Sequence, residues 1–341
     1  MSISTRSVMR RFPSVAFAAV LSLLAIAPAF AQTSAPLRVV GFSGSSNWPI
    51  YVALEKGFFK RNGVEVDLAA TPDSVSQLTK LIDGKIEIAM TSIDNVIAYQ
   101  EGQGEVPTAQ PDLVAFLGVN NGGRFNLMVA PDVKSYADLK GTQLAVDALT
   151  TGYAFLLRQM LEERGGLKPG EYKLFSAGNS GQRADALQSK KVAGTLLNSP
   201  YDSIAERMGY RRLAGASEIV EHYQGSVGAT RRDWAEANQE KLVAYIRGYV
   251  AGVDWLYDPA NKEEAMAILM KRLPRTKPEN AEFAYDELLS PTKGSLLPRA
   301  KLDIEGVRAV LKLRSNFGLP KKTLTDPMRY YDPKYYDMAV R

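Results

Sequence analysis

The sequence predicts an α/β fold in which mostly parallel strands are covered by helices on both faces. Short apolar strands alternate with segments of helical periodicity from residue 37 to 230, and the remainder is almost wholly helical. No internal repeat or low-complexity run interrupts this order. A helix after each strand carries the chain back across the sheet, which leaves successive strands parallel.

The first strand is expected over 37–41 and a helix over 49–59, where Ile50, Ala53, Leu54, Gly57 and Phe58 recur at helical spacing. A second strand follows over 64–68. Asp73 or Ser74 then caps a helix that places Val75, Leu78, Leu81 and Ile82 on one face and stops at Gly84. Strands are expected next over 86–90, 113–118 and 127–130, the last interrupted by Pro131, and the pattern resumes with a strand over 143–146. A helix over 153–163 ends at Gly165-Gly166, and a strand over 173–175, a helix over 183–189 and a strand over 192–197 follow. After a strand over 226–230 come helices over 239–257, 262–272, 279–288 and 303–316. These helices need an apolar sheet to cover, and the N-terminal sheet is the expected one.

Residues 1–31 have the character of a cleavable secretory signal. Arg6, Arg10 and Arg11 precede an apolar run over 15–27, and Ala29-Phe30-Ala31 presents small residues where a signal peptidase reads. The run is shorter than the roughly 20 residues that span a bilayer. Phe12 directly after Arg10-Arg11 fits the twin-arginine pattern poorly, so export in an unfolded state by the general route is expected. The mature chain then begins at Gln32; losing three arginines and no acid takes the net charge from +5 to +2 over the remaining 310 residues. So neutral a surface gives no basic patch for nucleic acid. The chain has no cysteine, which excludes an acylated-cysteine anchor and a disulfide framework, and its 45% hydrophobic content lets it fold on burial alone. A freely diffusing periplasmic protein is the expectation. No later segment is apolar for long enough to cross a membrane.

The stretch Phe42-Ser43-Gly44-Ser45-Ser46-Asn47-Trp48-Pro49 through Phe59, with Gly63-Val64-Glu65-Val66 after it, resembles the N-terminal signature of type II periplasmic solute-binding proteins. It is most similar to the branch serving aliphatic sulfonate, nitrate and thiamine-precursor ABC transporters. Leu81-Ile82-Asp83-Gly84-Lys85-Ile86-Glu87-Ile88-Ala89 and Ala137-Asp138-Leu139-Lys140-Gly141 agree in order and spacing, so the resemblance covers 36 to about 270. It implies two α/β lobes joined by two crossing strands, with ligand held in the cleft between them. The expected division is 36–128 with 230–341 in one lobe and 129–229 in the other, with crossings at 125–131 and 225–231. Gly225 and Gly228 there either serve as a hinge or only shape turns.

Ligands of open parallel sheets sit beyond the carboxyl ends of the strands, where helices begin and backbone N–H groups point outward. Ser45, Asn47 and Trp48 occupy that position after the first strand; Asn47 or Trp48 caps the helix that Pro49 opens. Trp48 is either a flat wall for a ligand or a core residue at the sheet edge. Thr91 and Ser92 follow the third strand, and Asp94 is expected to cap the next helix. Thr150, Thr151 and Gly152 precede a helix of the second lobe and suit an oxyanion. Asn198 and Tyr201 follow a later strand; the resembled family often has an aspartate and alanine near Asn198, and Tyr201 is either a lid or a packed core residue. Asn121 and Arg124 stand where the first lobe meets the crossing, and Arg124 either forks onto a carboxylate or sulfonate or is an ordinary solvated arginine. Arg183 is a weaker candidate, with Asp185 as a mundane partner.

Catalysis finds little support. His222 is the sole histidine, and with no cysteine a clustered His/Cys metal site and a cysteine nucleophile are both excluded. No Gly-x-Ser-x-Gly elbow accompanies His222. The expectation is therefore a monomeric receptor without cofactor, metal or catalytic residue, which captures a small organic or inorganic oxyanion and delivers it to an ABC permease. A pyrimidine or thiamine precursor is the alternative ligand. An exported lyase on the same scaffold, or a module signalling to a membrane sensor, are the other readings.

Overall fold

The computed structural model describes residues 1–4, 35–109, 111–122, 125–198, 200–290 and 294–341. Residues 5–31 of the expected signal peptide, and Arg124, lie outside the described residues. In chain order, β1 (Leu37–Phe42), α1 (Trp48–Glu55), α2 (Phe58–Arg61), β2 (Val66–Thr71), α3 (Ser74–Ile82), β3 (Ile88–Ser92), α4 (Ile93–Gln100) and β4 (Leu113–Gly118) come first. They are followed by β5 (Asn126–Val129), β6 (Gln143–Val146), α5 (Gly152–Gly165), β7 (Lys173–Ser176), α6 (Ser180–Gln188), β8 (Gly194–Leu197), α7 (Tyr201–Arg207) and β9 (Arg211–Gly215). Last are β10 (Ser226–Arg231), α8 (Arg232–Ala237), α9 (Gln239–Tyr257), α10 (Lys262–Arg272), α11 (Pro278–Leu289), α12 (Ile304–Phe317) and α13 (Pro333–Val340).

The strands form two five-stranded sheets, β2-β1-β3-β10-β4 and β7-β6-β8-β5-β9. Four strands of each sheet run one way, and a single strand, β10 or β5, is paired antiparallel on both its sides. The fold is thus two lobes of the same topology, each completed by one strand that enters from the connection to the other. Strands 126–129 and 226–231 each belong wholly to one sheet, so the crossings are the stretches before them rather than the strands themselves. The pairing continues through the crossings: Val119 N–H donates to Ser226 O at 2.8 Å, Gly225 N–H to Asn120 O at 3.0 Å, and Ala216 N–H to Phe125 O at 2.8 Å. Gly225 and Gly228 both keep negative φ. Their missing side chains answer to packing, since a Cβ at 225 would stand 2.2 Å from Asn120 Oδ1 and one at 228 would stand 2.7 Å from the Phe116 ring.

The expected helix over 49–59 is two helices. Gly57 adopts the left-handed conformation, φ 68°, and turns the chain between α1 and α2. The C-terminal helices cover the first sheet as expected: α9 crosses α1 and α2, and Phe59 stacks on Tyr245 with ring centroids 5.1 Å apart. The exception is α12, which packs on α4 of the first lobe and on α5 of the second. Neither β9 nor the helices α8 and α13 was expected from the sequence. Arg211 and Arg212 of β9 are exposed, as suits the edge strand it forms, and they disguise it as a loop. No helix among the described residues is long and apolar enough to cross a membrane.

Candidate functional site

A cavity of about 800 Å³, partly open to solvent, lies between the lobes at the carboxyl ends of the strands. Phe42 reaches it from the end of β1, Ser43, Gly44 and Ser46 from the loop that follows, and Ser92, Asp94 and Asn95 from the end of β3 and the start of α4. From the second lobe come Asp147 just after β6, Thr151, Gly152 and Tyr153 at the start of α5, Asn179, Ser180 and Arg183 at α6, and Asn198 and Tyr201 around the start of α7. Asn120, Phe125 and Ser226 close it from the crossings.

Three of the helix starts that aim at this space, those of α4, α5 and α6, are capped by side chains. Ser92 Oγ accepts from Asp94 N–H at 3.2 Å, Thr151 Oγ1 accepts from Ala154 N–H at 3.4 Å, and Asn179 and Gln182 form a reciprocal capping box. Tyr153 stacks on Phe125 with ring centroids 4.0 Å apart and on Tyr223 at 6.0 Å, so α5 is seated against both crossings. Burial pushes the Tyr153 phenol well above its ordinary pKa, and it stays protonated.

Five of the expected site residues, Ser92, Thr151, Gly152, Asn198 and Tyr201, line the cavity, and so does the weaker candidate Arg183. Ser45 lines a smaller space beside it that shares Ser46, Asn120, Phe125 and Asn198. The others sit elsewhere. Trp48 is fully buried, donates Nε1–H to Ala265 O at 3.0 Å and meets Tyr285 edge-on at 5.9 Å, so it belongs to the core between α1, α10 and α11. Asn47 spends its Nδ2 on Phe42 O at 2.6 Å, tying down the loop after β1. Thr91 is buried and accepts from Asn95 Nδ2 at 2.9 Å. Thr150 faces away, its N–H and hydroxyl both donating to Glu105, at 3.2 and 2.7 Å. Asn121 is bonded through its backbone to Ser295 O at 2.9 Å and is not among the lining residues. His222 is exposed and lies 3.2 Å from Asp303, outside the cavity.

Two carboxylates not expected as ligand contacts, Asp94 and Asp147, stand in the cavity wall. Asp94, expected as a cap, is instead fully buried in a bidentate pair with Arg314 of α12, at 2.6 and 2.9 Å, and also accepts Gly152 N–H at 2.5 Å. Asp147 is 8% exposed; its Oδ2 accepts from Ser74 Oγ of the first lobe at 3.0 Å, while its Oδ1 accepts no hydrogen bond from any described residue. Burial raises the Asp147 pKa, and the nearby Arg183 charge opposes that rise. Arg183 is itself buried, with its pKa lowered by burial, and it donates to Leu196 O, Gly178 O and Ser180 Oγ at 3.2, 2.8 and 2.9 Å. Asp147 stands one residue beyond β6, the position the carboxyl-end rule selects; the reading went three residues further, to Thr150.

Asp202, beside Tyr201, is buried and accepts from Asn126 Nδ2 at 2.7 Å, and burial pushes its carboxyl up to about 6 from an ordinary 3.8. The folded chain therefore holds this proton more tightly than the unfolded chain. Stability present below the ordinary value is lost as pH rises towards the folded value. Asp202→Asn removes that loss. Chemical denaturation should then show the variant gaining more over the wild type at pH 7 than at pH 4; an equal difference at the two pH values would count against it.

The sequence profile of the NMT1-like family matches residues 32–270, well over half of the chain. The chain belongs to the NMT1-like family. The formylaminopyrimidine-binding protein of Halalkalibacterium halodurans is 26% identical to this NMT1-like chain over 234 residues, 65% of each protein's length. Two solved structures share the fold. The periplasmic nitrate-binding protein of Synechocystis PCC 6803 superposes with a TM-score of 0.75 at 14% identity, covering 89% of this chain and 88% of its own. The alkanesulfonate-binding protein of Xanthomonas axonopodis pv. citri gives 0.71 at 18%, covering 89% and 100%. At those identities the likeness concerns the two-lobed fold of the NMT1-like chain and not its ligand.

Proposed function

We propose that the protein is an exported solute receptor whose lobes close about the paired crossings on a ligand that is then passed to an ABC importer. Of the two ligand classes expected from the sequence, the cavity favours a flat nitrogen heterocycle of the pyrimidine class over an oxyanion. The observation that carries this is Asp147, a buried carboxylate in the cavity wall with one oxygen lacking any partner among the described residues. A buried acceptor of this kind wants an N–H donor, and it repels a ligand anion at short range. Phe42 and Tyr201 supply aromatic surface against which a ring can pack, beside the Phe125–Tyr153 stack that closes the wall. The name of the Halalkalibacterium relative, a formylaminopyrimidine-binding protein, points the same way. Arg183 in the same wall favours the oxyanion as second reading, although three of its N–H groups are already engaged.

Thermal unfolding of the ligand-free protein against formylaminopyrimidines, nitrate, sulfonates and carboxylates separates the two. A ligand at about 100 times its dissociation constant adds roughly 2.7 kcal/mol, enough to move the midpoint by several degrees. The pyrimidines are expected to give a saturable shift, and Asp147→Ala to weaken their binding at least tenfold, about 1.4 kcal/mol. A shift with nitrate or sulfonate alone would transfer the assignment to the oxyanion.

A further inference from the structure

The start of α5 combines three features that ordinarily hold a small oxyanion. Gly152 is the first residue of a fourteen-residue helix, and its N–H points outward with the helix dipole behind it. The planar fork of Arg314 lies beside it, fully buried. Gly152 helps to line the ligand cavity, as do Thr151 and Asp94, and Arg314 stands behind Asp94. The place is already taken by an anion of the chain itself. Asp94 Oδ1 receives Arg314 Nε at 2.6 Å, and Asp94 Oδ2 receives Arg314 Nη2 at 2.9 Å and Gly152 N–H at 2.5 Å. A Cβ at position 152 would stand 2.5 Å from the Asp94 Cγ, so the glycine is what lets the carboxylate seat itself on the helix. One residue pair away, Glu105 does the same for the N–H and hydroxyl of Thr150.

We propose that Asp94 is a specificity-determining residue: its carboxylate is a resident anion that plugs an oxyanion site made by Arg314 and the Gly152 N–H, and so denies that site to sulfonate, nitrate or carboxylate ligands. This rests on the reading of the interlobe cavity as the solute site. The physical logic is competition. A tethered carboxylate sits at an effective concentration that a free oxyanion cannot match, and a second anion beside it would meet a like charge in a poorly solvated wall.

Deleting the plug should create the site. In Asp94→Ala the guanidinium and the amide lose their anion, and formate, which is the missing carboxylate in free form, or the equally planar nitrate can replace it. The protein and this variant are titrated with sodium formate and sodium nitrate against sodium chloride at matched ionic strength, and the thermal midpoint is followed. The expected result is a saturable rise of several degrees in Asp94→Ala with formate and nitrate beyond the chloride control. No such rise is expected in the wild type or in the double variant Asp94→Ala/Arg314→Met. If Asp94→Ala does not fold alone, recovery of its folded signal by formate or nitrate is the same result. Asp94→Asn, which keeps the side-chain size and leaves the guanidinium uncompensated, is the second variant, and it should show the anion response in weaker form.

The proposal falls if Asp94→Ala and Asp94→Asn respond to formate and nitrate no differently from the wild type, or if the double variant responds as strongly as the single one. A wild type that binds nitrate or sulfonate in the cavity with Asp94 in place also overturns it. Failure of the wild type to bind pyrimidines would remove the ligand reading alone and leave the response of Asp94→Ala to be read on its own terms.

Discussion

Arg314→Met should lower the stability of the protein by about 3–5 kcal/mol, the range found when one partner of a buried ion pair is removed. Arg314 is fully buried and does more than neutralise Asp94. It donates to Gln103 Oε1 at 3.2 Å and to the Thr150 carbonyl, and its guanidinium lies over the Phe155 ring at 5.0 Å. Removing it leaves a buried carboxylate with the Gly152 N–H as its remaining strong donor, and strips two carbonyls of their partners. Lysine does not rescue the site, because a point charge cannot reproduce a fork that serves both oxygens of Asp94 and two further acceptors. Replacing both partners with apolar residues, as in Asp94→Leu/Arg314→Met, should recover much of the loss, since neither half is then left charged in the interior. Guanidinium denaturation of the single and double variants measures this directly. A single variant that loses less than the double would show that the pair is not the source of the effect.

Trp48→Ala should be almost as costly, again about 3–5 kcal/mol, as for other large aromatic truncations in a core. The indole is wholly enclosed, its N–H is bonded to Ala265 O at 3.0 Å, and its edge contact with Tyr285 ties α1 to the helices of the C-terminal third. Truncation therefore leaves a cavity and removes the second hydrogen bond of the Ala265 carbonyl, which lies inside α10 and keeps its helical one. Affinity for the ligand, measured at a temperature where the variant remains folded, should stay within a few fold of the wild type. An unfolding midpoint near that of the wild type, combined with lost binding, would return Trp48 to the ligand site. By the same geometry Trp48 should contribute no ligand-dependent change in fluorescence.

The contrast between Trp48 and Asp147 shows where sequence reasoning reaches and where it stops. The carboxyl-end rule selected the loops after β1, β3, β6 and β8, and all four reach the cavity. It could not choose between neighbours within a loop. Ser46 lines the cavity and Trp48 does not, Thr151 lines it and Thr150 is turned to Glu105, because side chains one or two residues apart where a helix begins leave the backbone in different directions. Regular elements with clear periodicity were legible to the residue, as with β4, β6, α9 and α10. The edge strand β9 was not, since its outward arginines answer to solvent rather than to a core. The pairing of Asp94 with Arg314 spans 220 positions and leaves no local mark at either end. Only the packing of α12 across α4 and α5 brings the two together.

The placement of β10 between β3 and β4 has a consequence for the order in which the lobes acquire structure. The second sheet draws its five strands from one unbroken stretch, β5 to β9, so it can assemble without help from the rest of the chain. The first sheet cannot. Its fourth strand, β4, has no neighbour until β10 arrives more than a hundred residues later, and β3 is left with an open edge for the same interval. Contacts of such long sequence separation form slowly, because the loop between them must be closed before any pairing repays its entropy. The N-terminal lobe is thus the late lobe, and a chain emerging from its N-terminus remains incompletely structured until most of its length is available.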